Sequence, residues 1–177
     1  MPMSKTASTP ATDQQPHERR RLERKPTLLR AVIVEANAQN ARNCVILDIN
    51  AGGAQVSASI TYPNGTEVYL IDIGNQIAHH AKLVWSKADR SGLCFVESHR
   101  IGMGLPLHLS FVWKLLLEAK LQDIERNIGS GISAGSAFMN AGLSRVDLDL
   151  MAQRAAGDAG FEEALLRARR LLTVDSQ

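Results

Sequence analysis

The sequence predicts a mainly β domain, six short strands closed as a small barrel, followed by C-terminal helices. Three observations lead there. Between Thr27 and Ser98 the chain falls into short runs rich in Val, Ile and Leu, broken at regular intervals by Gly, Asn, Asp and Pro. From about Leu107 the apolar period lengthens from two to about 3.6 residues. Short strands joined by tight turns also need their edges closed or covered, and a barrel closes them.

Residues 1–18, MPMSKTASTPATDQQPHE, contain almost nothing to bury, so they cannot offset the entropy of being ordered and read as a disordered N-terminal tail. The strands follow: TLLRAVIVEA (27–36), RNCVILDI (42–49), GAQVSAS (53–59), TEVYLIDI (66–73), QIAHHAKLVWS (76–86) and GLCFVES (92–98). Between the fourth and fifth stands Gly74-Asn75, whose leading glycine predicts a two-residue type II′ hairpin. Beyond it Ile77, Ala81, Leu83 and Trp85 alternate with Ala78, His80, Lys82 and Ser86, one face apolar and the other more polar. Asp72 and Glu67, close to turns, read as surface acids. With the basic run before it, the barrel unit spans residues 19–106.

Over 107–128, Trp113, Leu117, Leu121, Ile124 and Ile128 form one helical stripe, while Lys114, Glu118, Lys120, Glu125 and Arg126 take the opposite side. This amphipathic helix must dock on the barrel or on a partner. GSGISAGS (129–136) makes 129–142 a flexible linker. Residues 143–177 form a C-terminal helical segment. There Ser144 with Asp147 makes a capping box for 145–156, Gly157-Asp158 stops that helix and caps the next, and Phe161, Leu165, Ala168 and Leu172 share a face of the last.

The net charge of +2 over 177 residues argues against a protein that coats nucleic acid by bulk electrostatics. The basic character is local, with six Lys or Arg between Arg19 and Arg30. Cys44 and Cys94 sit in apolar runs and read as core side chains of a reducing, cytoplasmic location. No run approaches the roughly twenty apolar residues of a membrane span. A Gly-rich phosphate loop before a helix, GxSxG, HExxH and zinc-spaced Cys and His are all missing, so no enzyme, metal or cofactor is expected. His79 and His80, adjacent on a strand, point to opposite faces and do not readily chelate one ion.

Two stretches remain. RRRLERK (19–25) packs five basic residues around Leu22 and Glu23, and LDINAGGAQV (47–56) joins two strands. In the second, Asp48 and Asn50 can turn toward one loop, while Gly52-Gly53 permit positive φ and a close backbone approach to a ligand. Taken singly, the first is a solvated arm and the second a β-turn with favourable turn residues.

Together they resemble the PilZ domain. An Arg-xxx-Arg element before the first strand is followed about two dozen residues later by Asp-x-Ser-x-x-Gly at a strand junction. Arg20 and Arg24 fit the first element, and Asp48, Asn50 and Gly53 the second, with asparagine where the family pattern has serine. AKLVWSKADRSGLCFVE (81–97) resembles the family's last two strands, with Val84, Gly92 and Phe95 in place. The resemblance covers roughly residues 18–110 and implies a six-stranded antiparallel PilZ-like β-barrel that binds cyclic di-GMP.

In that reading Arg20 and Arg24 fork onto phosphate oxygens or onto O6 and N7 of guanine and stack on purine faces. Arg19, Arg21 and Lys25 raise the local potential. Asp48 accepts from the N1 and N2 donors of a guanine edge, Asn50 and Gly52 line the same turn, and Gly53 leaves space for the ligand. Ordering of the arm on the ligand would present a new surface to a protein partner, relaying second-messenger level in motility or biofilm regulation. Asn50 supports an alternative: a PilZ-like interaction module of motility or secretion machinery that does not bind the nucleotide, with self-association through the C-terminal helices. An OB-like nucleic-acid binder ranks lower, because Tyr62, Tyr69, Trp85 and Phe95 are too scattered to offer a stacking platform.

Overall fold

The computed structural model describes residues 25–154 and 157–173. Six antiparallel strands, β1 (Lys25–Glu35), β2 (Arg42–Asn50), β3 (Gly53–Val56), β4 (Glu67–Asp72), β5 (Ile77–Lys87) and β6 (Arg90–Arg100), close a barrel in the order β1-β2-β3-β6-β5-β4, with β4 pairing back onto β1. Ile33, Ile46, Val56, Leu70, Leu83 and Leu93 fill its interior. Burying a side chain of this size stabilises by about 1.5–3 kcal/mol.

A second core lies outside the barrel. Val32, Val34, Tyr69, Ile71 and Ala78 face the helices, so β1 and β4 are buried on both sides. That is why AVIV and VYLI read as continuous apolar runs rather than as an alternation. The helices are α1 (Ser110–Gly129), α2 (Ala134–Asn140), α3 (Arg145–Arg154) and α4 (Ala159–Thr173). Val112, Trp113 and Leu116 of α1 pack in this core, Phe111 meets Tyr69 edge-on at 5.5 Å, and Arg30 of β1 pairs with Asp123. No helix among the described residues is long and apolar enough to cross a membrane.

The capping box forms reciprocally: Ser144 N–H donates to Asp147 Oδ2 at 2.7 Å and Asp147 N–H to Ser144 Oγ at 3.2 Å. Asp158 caps α4 through Phe161 N–H at 3.0 Å.

Several expectations change. Residues 129–142 hold α2, with Ser133 as its cap and Ala137 and Phe138 buried, because apolar side chains follow the Gly-Ser run and find a core. Lys120 is turned inward, its ammonium donating to the carbonyls of Ala141 at 2.8 Å and Gly142 at 2.9 Å. Residues 107–109 form a 3₁₀ turn before α1. The third strand stops at Val56. The β4–β5 connection runs over residues 73–76 with left-handed φ at Gln76 (54°), not at Gly74, and Asp72 organises it by accepting from Asn75 N–H and Nδ2. Asp72 is therefore buried, since its carboxylate serves the turn from within.

Candidate functional site

The register of β1 on β2 sets the site. Lys25 lies opposite Ile49 and Pro26 opposite Asp48, and Thr27 Oγ1 donates to Ile46 O at 2.7 Å. The basic run immediately precedes Lys25, so the chain enters the barrel beside Asp48 and Asn50. Arg19, Arg20, Arg21 and Arg24 lie outside the described residues.

A β-bulge between Ile46 and Asp48 lets both Ile46 and Ile49 face the interior. Asp48 then pairs with Gln55 and Asn50 with Gly53, so the two polar side chains share the outer face. Across β3, β6 and β5 two rows continue: Asp48, Gln55, Gly92, Trp85, and beside it Asn50, Gly53, Cys94, Lys82.

Two buried glycines, Gly53 and Gly92, lie in the middle of these rows, each for a packing reason. A Cβ on Gly53 would stand 2.1 Å from the Leu93 carbonyl oxygen, so β6 requires glycine there before any ligand is considered. A Cβ on Gly92 would stand 2.2 Å from Nε1 of Trp85, whose indole lies over it. The turn itself is fastened at two points. Asn50 Oδ1 accepts from Gly52 N–H at 2.9 Å, an Asx turn, and Gly52 O accepts from Phe95 N–H at 3.0 Å.

Trp85 and Cys94 do not sit where the sequence pattern puts them. A second bulge, between Leu83 and Trp85, carries Trp85 from the interior set to the outer face, where it is 37% exposed, and Cys94, opposite Lys82, is exposed too. Counting outward from the two-residue connection Ala88-Asp89, Lys87 with Arg90, then Ser86 with Ser91, finds the Trp85–Gly92 pair without a structure. His79 and His80 do point apart: His79 faces the barrel interior against Phe95, while His80 stacks on Tyr69 at 5.0 Å outside.

The face thus combines a carboxylate, an amide, two glycines and an indole, and in sequence the basic run comes directly before it. The family model of the PilZ domain matches residues 18–105. Residues 18–105 are a PilZ domain. PilZ is a family of cyclic di-GMP receptors, binding modules rather than enzymes. The matched span includes both RRRLERK and LDINAGGAQV and ends before α1, so the helices lie outside it. Among solved structures, one described as the crystal structure of the PilZ domain of CeSA from a cellulose synthesizing bacterium is 17% identical, with a TM-score of 0.39, over 56% of this chain and 99% of that one. No curated protein matches the chain.

Proposed function

We propose that this PilZ protein is a cyclic di-GMP receptor that relays second-messenger level to a protein partner through its N-terminal arginine arm. The register of Lys25 and Pro26 on Ile49 and Asp48 supports this best. Arg24 is one residue and Arg20 five residues from Lys25, so their Cα atoms fall within ~4 and ~18 Å of it, a reach that spans a compact dinucleotide beside Asp48. The arginines meet phosphates and guanine edges, and Asp48 accepts from guanine N1 and N2. Asn50 keeps the turn in shape by holding Gly52, a task that serine performs through its hydroxyl, so asparagine there preserves the turn.

Isothermal titration with cyclic di-GMP tests this. Full-length protein is expected to bind in the submicromolar to micromolar range, Arg20→Ala and Arg24→Ala to remove the heat, and cyclic di-AMP and GTP to give little. If the wild-type chain gives no heat, the receptor reading fails and the nucleotide-independent interaction module takes its place.

A further inference from the structure

Two buried side-chain polar atoms among the described residues have no hydrogen-bond partner, Trp113 Nε1 and His79 Nε2. An orphaned polar atom is costly, so its place in the fold needs a reason. Trp113 is a core residue of α1, and its indole fills the helical core. His79 is different, because its ring belongs to a connected path that ends at the candidate site. It lies opposite Leu70, a residue of the barrel interior, and is 7% exposed. Its Nδ1 and Ser98 Oγ are 2.7 Å apart. Its ring stacks on Phe95, centroids 4.1 Å apart and planes within 6°. The Phe95 N–H in turn holds Gly52 O, and the Gly52 N–H is held by Asn50 Oδ1.

We propose that His79 is the positioning residue of the candidate site, setting the place of the Gly52-Gly53 turn through Phe95, and that its protonation disturbs that turn. The proposal rests on the receptor reading only for its effect on the nucleotide. The path has two links, a parallel ring stack and one backbone hydrogen bond, beside the ladder pair of Gly53 and Cys94. A proton on Nε2 would put an unpartnered charge inside the barrel, which a ring wedged against Phe95 relieves only by moving. The charged group facing it from β4 is Asp72, already engaged with Asn75, while β6 presents the neutral Ser98 and Phe95. Burial holds the imidazole below its ordinary range against the pull of Asp72, so the ring is neutral at neutral pH and takes its proton only in acid.

Two measurements on the full chain decide it. Without nucleotide, the amide resonances of Gly52 and Phe95 are expected to shift with pH together with the imidazole resonances of His79, and to lose that shift in His79→Phe, which keeps a flat ring and carries no proton. Amides that ignore the His79 titration overturn the proposal. With cyclic di-GMP, wild-type affinity is expected to fall about ten-fold as the pH is lowered through the His79 titration seen in those resonances, and His79→Phe to fall by clearly less. An equal fall in both proteins also overturns it. Absence of nucleotide binding at every pH removes the receptor reading alone, and the amide titration then decides the role of His79.

Discussion

At Gly53 the neighbouring strand decides the residue. β6 passes so close that a methyl would lie 2.1 Å from a carbonyl oxygen. That oxygen is backbone and cannot swing away as a flexible side chain would. Gly53→Ala is therefore expected to destabilise by ~3 kcal/mol, at the upper end of overpacking costs, seen as a lowered denaturant midpoint at unchanged slope. A variant as stable as wild type would show that β3 and β6 can separate at little cost. Loss of nucleotide binding on its own is no proof that Gly53 touches the ligand. At Asn50 the side-chain oxygen accepts from the amide two residues ahead and so shapes the turn.

Among the elements, α1 carries the most. Its residues Val112, Trp113 and Leu116 cover the outer faces of β1 and β4, Arg30 reaches it from β1 through Asp123, and Glu125 takes both arms of Arg167 from α4. Lys120 joins it to α2 by donating to the two carbonyls that follow that helix, where α2 has exhausted its own amide donors. Burial lowers the ammonium's affinity for its proton. The group is nonetheless paired, with the carbonyls of half-buried Ala141 and exposed Gly142. Lys120→Ala is expected to cost about 1–3 kcal/mol and to loosen α2 first, so protection of the amides over 134–140 should fall before that of the barrel in hydrogen exchange. Uniform loss across the chain would mean that α2 has no opening of its own.

At the scale of the molecule, the barrel and the helices share one core rather than meeting at a linker. Phe138, Met151, Phe161 and Leu165 lie in the same cluster as Tyr69 and Ile71 of β4. A chain ending at Asn127 would uncover Leu117, Leu121 and Ile124, and is expected to scatter light as a larger, associating species than the full-length protein. A truncated chain of unchanged size would argue that this face of α1 is covered in another way. The same shared core brings β1 into contact with both the candidate site, at Lys25 and Pro26, and α1, at Arg30. Much of this was legible in the chain itself. Strand number, the period change near Leu107, the Ser144–Asp147 box and the PilZ pattern itself depend on neighbours within a few residues or on a family pattern, and a local pattern is what a sequence displays. Tertiary structure alone decided the rest: the bulge that turned Trp85 outward, the outward face of Cys94 between Leu93 and Phe95, the burial of Asp72 and Lys120, the helix within 129–142 and the His79–Phe95–Gly52 path. Each depends on which strand or carbonyl lies across from a residue. A one-residue change of register reverses a strand's faces, and a charged side chain goes inside only where distant backbone groups stand ready to meet it.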